Sequence, residues 1–566
     1  MAASPAQPRT ADLFTPKLIT VLREGYGLGN LKADALSGLT VAIVALPLSM
    51  AIAIASGVTP DRGLYTSIIG GFLVSALGGS RFQIGGPAGA FIILVAATVA
   101  QHGLDGLLLA TLLSGFMLAA VGLLRLGTFI KYVPFPVTVG FTAGIAIIIF
   151  ASQIKDLLGL RLEAEPGPLL PKLAALGHAL PTISLAATLT ALATIAILIV
   201  VRRYRPHWPA FLIAVAVTAV GVAIAQLPVE TIGTRFGGIP RSLPFPSLPP
   251  LSFGKVVEVF PSALAFALLG CIESLLSAVV ADSMTGRRHR SNCELVAQGV
   301  ANIASPLFGG ICVTGNIART ATNVRAGAHG PVSGMLHAVF LLLFILIAAP
   351  LASYIPLAAL AGVLAMVAWN MAEKHEFATL LRASRGDAIV LLVTFLLVIF
   401  RSLTEGIIIG FAIGALLFLH RMARAVEIEA SPLIAEEDRP DGDGRAPYDE
   451  RVAVDRDILV YRISGAFFFG AAAAVGAALD RIGDYPKAYV VDFSAVPVLD
   501  STGAATIVGF ARKARRRGAA VYISGAARPI RRTLLVHGVR PLRVRFRKTV
   551  RDAVSAARHA LDARAG

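Results

Sequence analysis

Long apolar runs broken by short polar stretches fill the first three quarters of the chain. Leu36–Gly57, Gly63–Leu77, Gly106–Leu124, Leu185–Val201, Leu336–Pro350, Ala388–Phe400 and Gly406–Leu419 are among them. At about 1.5 Å of rise per residue, a helix of some 20 apolar residues crosses a bilayer. The ten-residue alternation of a membrane β-barrel does not occur in these runs. The pattern predicts a polytopic α-helical membrane protein with fourteen transmembrane segments before residue 426. Two segments are too short for a full crossing and begin in glycine-rich sequence: "IGGPAGAFIILVAATVA" (84–100) and "CVTGNIARTATNV" (312–324). Each lies about fifty residues into its half of the region, and matched interrupted segments point to an inverted-repeat transporter. The expected fold is a 7+7 inverted repeat with two half-helices, the repeats spanning 31–226 and 256–425.

Basic residues orient this arrangement. Arg125 and Lys131; Arg202, Arg203 and Arg205; Arg287, Arg288 and Arg290; Lys374, Arg382 and Arg385; and Arg421 and Arg424 all fall in loops on one side. By the positive-inside rule that side is cytoplasmic, and so are both termini. The N-terminal segment 1–30 is polar and lacks the apolar core of a signal peptide. Within it, "LITVLREGYG" fits a short interfacial helix or a loop.

After residue 425 the pattern changes. An acidic linker, 426–450, carries nine acids and two bases from Glu427 to Glu450. The C-terminal domain, 451–566, then reads as small layered α/β. In it, "DILVYRISGAFFFG" predicts a strand pair, "KAYVVDFSAVPVLD" and "AAVYISG" predict buried strands, and "STGAATIVGFARKARRRG" predicts an amphipathic helix. This domain holds 21 Lys and Arg against 8 Asp and Glu, most of the chain's net charge of +17. Beside a membrane, such a charge faces anionic lipid rather than nucleic acid.

Composition agrees: 56% of the 566 residues are hydrophobic and 15% charged, against about a quarter charged in soluble domains. The three cysteines form no CxxC pair, and the ten histidines have no ligand spacing. Neither metal nor cofactor is called for. Walker, HExxH and GxSxG motifs are absent, so no catalytic residue is assigned and the chain is not read as an enzyme.

The chemistry concentrates in three places. From Val259 to Ala281, Glu273 is the one charge in 23 residues. An intramembrane carboxylate costs about 2.5–3.5 kcal/mol by insertion scales, so it marks a proton or cation site or a buried interhelical hydrogen bond. Ser277, four residues on, shares its helix face. The two glycine-rich starts supply the second and third places. A helix that begins inside the membrane aims unpaired N–H groups and a positive dipole end inward, and two such ends make an anion trap. Gly85, Gly86 and Gly89 allow close backbone approach there, and Pro87 suits a first helical turn. Arg319, one turn into the second half-helix, adds a cation.

These motifs resemble the SulP family of anion transporters, the sulfate-permease relatives of animal anion exchangers and prestin. The stretches that carry the likeness are "GCIESLLSAVVADSMTGRRHRSNCELVAQGVANIASPLFGG" (270–310), "GNIARTATNVRAGAHGPVSG" (315–334) and "VALPLSMAIAIASG" (44–57). The resemblance implies fourteen helices split into core and gate domains, a substrate site between the third and tenth, and a cytoplasmic STAS domain. By position it implies that Gly86, Pro87, Ala88 and Gly89 face Gly315, Asn316, Ile317, Ala318 and Arg319 around a small anion. It also implies that Glu273 and Ser277 hold the coupling ion, H⁺ or Na⁺. "GGPAGA" departs from the threonine-bearing "GPT" form of several bacterial relatives. Family members often form homodimers. The "LDSTGA" loop (499–504) resembles that of anti-sigma-factor antagonists, making Ser501 a phosphorylation candidate and implying a cytoplasmic regulator of the STAS domain. The competing reading of that loop is a helix cap by Asp500 or Ser501.

The leading expectation is a secondary active transporter of a sulfate-type inorganic anion, bicarbonate or a C4-dicarboxylate, coupled to H⁺. Alternatives are a Na⁺-coupled bicarbonate symporter, an uncoupled exchanger or channel, and a membrane-tethered STAS signalling protein.

Overall fold

The computed structural model describes residues 13–128, 134–162, 166–205, 208–424, 427–431, 457–468, 486–539 and 544–565, with scattered positions between 471 and 479. The polar start of the N-terminal segment and residues 432–450 of the acidic linker lie outside the described residues. Contacts divide the chain into two compact units, Met1–Ala412 and Ile413–Gly566.

In order, the helical region comprises α1 (Lys17–Arg23), α2 (Leu28–Ala55) and α3, which runs Pro60–Tyr65, a π turn Thr66–Gly70, and Gly71–Leu77. Strand β1 (Gly85–Gly86) and a 3₁₀ turn (Gly89–Phe91) lead into α4 (Ile92–Leu123). Next come α5 (Phe135–Leu158), α6 (Leu169–Ala179), α7 (Leu185–Tyr204), α8 (Ala210–Ala225), α9 (Ile232–Phe236), α10 (Phe253–Thr285) and α11 (Ser291–Leu307). Strand β2 (Thr314–Gly315) opens α12 (Ile317–Arg325), followed by α13 (Val332–Ala352), α14 (Leu357–Met371), α15 (Lys374–Ala383), α16 (Arg385–Phe400) and α17 (Leu403–Arg424).

Among the described residues, eight helical stretches are long and apolar enough to cross a membrane: α2, Gly89–Leu123, α5, α7, α10, α13, Leu357–Arg382 and Leu403–Ala423. Helix α8 is apolar but shorter. Leu185, Ile224, Ile347 and Leu416 are exposed on these helices, as lipid-facing positions of a spanning helix should be. The first interrupted segment and the run that begins near Gly106 are two helical pieces of α4 that meet at Gly103, where the backbone is non-helical with φ at +68°. Glycine alone adopts that angle without strain. The stretch "LITVLREGYG" forms α1, and Glu24 just after it pairs with Arg81. The hydrogen bond from Arg81 holds the Glu24 carboxyl below its usual range.

Small residues let α4 and α11 touch backbone to backbone. A Cβ on Gly299 would fall 2.6 Å from the amide nitrogen of Ala119, and one on Gly115 2.8 Å from the carbonyl oxygen of Gly299. Such approach replaces the hydrophobic drive that lipid does not supply. The buried Asp34 carboxylate ties α2 to the link before α13, accepting from the amides of His329 (2.6 Å) and Gly330 (3.0 Å) and from the Tyr26 hydroxyl (2.7 Å).

The C-terminal unit is a five-stranded sheet in chain order: β3 (Glu427–Ser431), β4 (Ile458–Ser464), β5 (Ala488–Ala495), β6 (Ala520–Ser524) and β7 (Arg545–Arg547). β3 runs antiparallel to β4, and the other neighbours are parallel. Two expectations change here. The strand pair read into "DILVYRISGAFFFG" is one strand, β4, because its hydrogen-bonding edges face β3 and β5 rather than its own continuation. The first acidic residues after 426 belong to the sheet as its edge strand. Alternate residues of β5 go to opposite faces: Val491 and Phe493 pack with α18 (Ser501–Arg516) and α19 (Arg528–Val536), while Val490 packs with α20 (Val550–Ala565). Helices on both faces explain the continuous apolar runs of these strands.

The "LDSTGA" loop caps α18. Asp500 Oδ1 accepts from the amide of Gly503 at 2.8 Å, and Ser501 is the exposed first helical residue. Asp500→Ala is expected to cost about 1 kcal/mol of helix stability. Hydrogen exchange of the first-turn amides of α18 checks it, and wild-type protection would show that the cap contributes nothing.

Candidate functional site

The two glycine-rich starts cross. β1 and β2 pair antiparallel, Gly85 opposite Gly315 and Gly86 opposite Thr314, and the amide of Asn316 extends the ladder to Ile84 O at 2.9 Å. Each strand runs into a helix, so the N-terminal ends of Gly89–Leu123 and α12 are brought together. Two glycines are required by contact. A Cβ on Gly315 would lie 2.1 Å from Gln83 Nε2, and one on Gly86 2.4 Å from a guanidinium nitrogen of Arg319.

Local hydrogen bonds sort the amides expected at the site. Gly315 N donates to Ser274 Oγ at 3.2 Å, and Asn316 Oδ1 accepts from Arg319 N at 3.1 Å as the cap of α12. Pro87 has no N–H. Ala88, extended at φ −115°, precedes the 3₁₀ turn, and its carbonyl accepts from Phe91 N at 3.1 Å. The first-turn amides of Gly89, Ala90, Ile317 and Ala318 therefore stand at helix starts, where no intrahelical acceptor exists. Ala318 is exposed while its neighbour Arg319 is fully buried, so the open side of the crossing lies at the helix tips. On the other tip, a Cβ on Gly89 would meet Ile149 and Met371 at 3.5 Å, placing α5 and α14 opposite.

Arg319 lies behind the crossing. Its two terminal nitrogens donate to Ser49 Oγ (2.9 Å) and Ser67 Oγ (3.1 Å), and those hydroxyls are 2.8 Å apart. Its Nε has no partner, and among the described residues no carboxylate stands within ion-pair distance. The result is a buried positive charge, 0% exposed, balanced by dipoles alone. In low dielectric such a charge attracts an anion strongly over a few ångströms.

Glu273 is 7% exposed and makes no hydrogen bond to a described residue. Ser277 lies on the same helix face but is bound elsewhere: its hydroxyl donates to Thr320 Oγ1 at 3.0 Å, an oxygen that also accepts from Ile84 N at 3.1 Å. Ser274 Oγ is 2.9 Å from Thr314 Oγ1. Helix α10 is thus pinned to the β2–α12 arm of the crossing through Ser274 and Ser277, leaving Glu273 beside them without a partner among the described residues.

Sequence reading missed Ser49, Ser67, Ser274, Thr320 and Gln83. Their signal was polarity inside apolar runs, which alone does not say which residue each one meets. It also missed Glu294, a fully buried carboxylate that accepts from Gln83 Nε2 (2.9 Å), Ser80 N (3.0 Å) and Gln298 Nε2 (3.4 Å). All three partners are donors, matching an ionised, acceptor-only carboxylate. Glu294 thereby holds Gln83 and the segment entering β1. Glu294→Gln is expected to lower stability by about 2 kcal/mol, because an amide presents N–H groups to donors. Thermal unfolding reads this as a reduced midpoint, and an unchanged midpoint would remove Glu294 from the scaffold of the site.

Comparison with known proteins gives a family and a fold. The profile described as Sulfate permease family matches residues 31–394, and that of the STAS domain matches 451–553. The chain is 41% identical over 508 residues to the putative sulfate transporter YvdB of Bacillus subtilis, covering 89% of this chain and 93% of that protein. It is 30% identical to the bicarbonate transporter BicA of a Picosynechococcus strain, covering 89% and 90% respectively. The murine Slc26a9 anion transporter in its inward-facing state superposes with a TM-score of 0.84 over 99% of this chain and 96% of that one; at 18% identity this is a likeness of fold.

Proposed function

We propose, since the chain belongs to the sulfate permease family, that it is a secondary active anion transporter that carries a compact inorganic anion inward with H⁺. The observation that carries this reading is Glu273, a nine-tenths buried carboxylate without a partner among the described residues, beside a crossing of two helix starts backed by Arg319. The amides of Gly89, Ala90, Ile317 and Ala318 supply donors for the anion, and both dipole ends favour negative charge. Protonating Glu273 removes a negative charge next to the anion and favours binding. Losing that proton inside favours release.

The architecture that fits this reading is fourteen spans in two inverted sevens, 31–226 and 256–425. The N-terminal segment 1–30 and the STAS domain are then cytoplasmic, with 432–450 linking the edge strand to the rest of the sheet. Alternating access follows from the unit bearing the crossing moving against α5, α7 and α14. Sulfate and bicarbonate are the first candidates, from the names of the relatives YvdB and BicA. Among the described residues, Arg319 is the arginine at the crossing, which favours a compact anion over a long diacid.

The test is uptake by purified protein in liposomes under an imposed inward proton gradient, with labelled sulfate, bicarbonate, fumarate and chloride offered separately. Stimulation of one of them by the gradient supports the reading and identifies the substrate. Uptake driven by sodium and indifferent to pH would replace H⁺ by Na⁺. Non-saturating current would make the chain a channel.

A further inference from the structure

A proton on Glu273 must leave through something that faces it. Glu273 is 93% buried by its 7% exposure and bonds to no described residue. The outside charge that acts on it is Glu373, within electrostatic range. Glu373 sits in the link between α14 and α15, two residues beyond Met371. Met371 is the residue whose Sδ lies 3.5 Å from a Cβ placed on Gly89. The end of α14 therefore lies close to the helix start at the crossing, and Glu373, two residues on, is exposed.

Two further observations separate Glu373 from an ordinary surface acid. Its φ is +37°, a left-handed angle that a non-glycine residue adopts at a cost of about 1 kcal/mol or more. The adjacent cation is occupied: Lys374 Nζ donates to Trp369 O at 2.7 Å and stands 3.7 Å from the Trp369 ring centroid. Among the described residues no cation pairs with Glu373, and the charge acting on it from its own helix is Glu376. Helices α5 and α16 pack against α15. Their charged residues Lys155, Asp156, Arg385 and Asp387 are not among the groups acting on Glu373. Among the described residues the pair is therefore one buried, unpartnered carboxylate and one exposed carboxylate with no counter-ion.

We propose that Glu373 is the inner relay of the coupling proton, receiving it from Glu273 and passing it to bulk water. Water carries the proton from the Glu273 carboxyl to the Glu373 carboxylate, leaving Glu273 ionised and Glu373 neutral. Glu373 then gives the same proton to a water molecule of the cytoplasm, and nothing else is transferred. The inference rests on the reading of Glu273 as the coupling carboxylate and gives its proton an exit. It also explains why Lys374 is drawn onto Trp369: an ion pair at Glu373 would hold it ionised and block the transfer.

The full chain in proteoliposomes with a trapped pH dye tests this, using labelled sulfate and bicarbonate under an inward proton gradient. Glu373→Gln is expected to slow anion-dependent acidification by about 10²-fold, the lower end of what a positioned proton-transfer group contributes. Glu373→Asn, at ease in the left-handed region, gives the same slowing where the glutamine disturbs the turn. Glu373→Asp restores most of the rate and its dependence on internal pH, which a merely structural role would not. Wild-type acidification in both amide variants, or an aspartate variant as slow as they are, overturns the relay. Glu273→Gln run in parallel separates the two ideas. If it keeps proton-coupled uptake, the coupling reading itself fails; if it is silent while the Glu373 variants are normal, only the relay fails.

Discussion

Glu273→Gln is expected to abolish the response of anion uptake to an inward proton gradient while leaving the protein folded. The side chains are nearly isosteric, and Glu273 makes no hydrogen bond to a described residue that the amide would break. What the variant loses is the ability to alternate between a neutral and an anionic state beside the anion. Each pH unit of gradient supplies about 1.4 kcal/mol per proton, or about tenfold accumulation of a co-transported anion. The variant is expected to equilibrate its anion at most to the outside concentration, whatever the gradient. Radiolabel accumulation at two imposed pH differences measures this directly. Accumulation that still rises tenfold per unit would move the coupling to another group. Glu294 is the poorer candidate, since its oxygens already accept from three donors of the scaffold.

The second large effect is expected at Arg319. A buried guanidinium held by two serine hydroxyls and no carboxylate is a poor investment for folding. Replacing such a charge with an apolar side chain of similar length is often neutral or stabilising. Arg319→Met is therefore expected to melt at or above the wild-type temperature and yet bind its anion about 10- to 100-fold more weakly, a loss of about 1.4–3 kcal/mol. Arg319→Lys keeps the charge but cannot reach both Ser49 and Ser67 with a planar fork, so it should fall between. Half-saturation constants in liposomes together with thermal unfolding check both halves of the statement. A methionine variant that transports with wild-type affinity would show that the helix ends alone hold the anion.

Both predictions turn on residues whose type was legible in the sequence and whose surroundings were not. Glu273 announced itself as one charge in 23 residues, because a carboxylate in an apolar run is costly whatever its neighbours. Arg319 was visible as a cation one turn into a short segment. Its role read as a ligand near the anion, but the guanidinium turns to α2 and α3, some 250 residues away in sequence. Ser277 shows the same limit. Spacing places it on the face of Glu273, yet its hydroxyl goes to Thr320, because the β1–β2 crossing brings α12 against α10.

The sequence by itself determined the class of protein, the existence of long apolar helices, the two interrupted segments and the α/β unit after them. These follow from hydrophobic period, glycine placement and charge, which act over a few residues and leave their mark locally. Tertiary contacts alone set the pairing of Gly85 and Gly86 with Gly315 and Thr314, the meeting of the two helix starts, and which buried carboxylate has partners. Those outcomes depend on contacts between segments more than 200 residues apart, and no local pattern encodes which of several buried serines or glutamates will meet which partner.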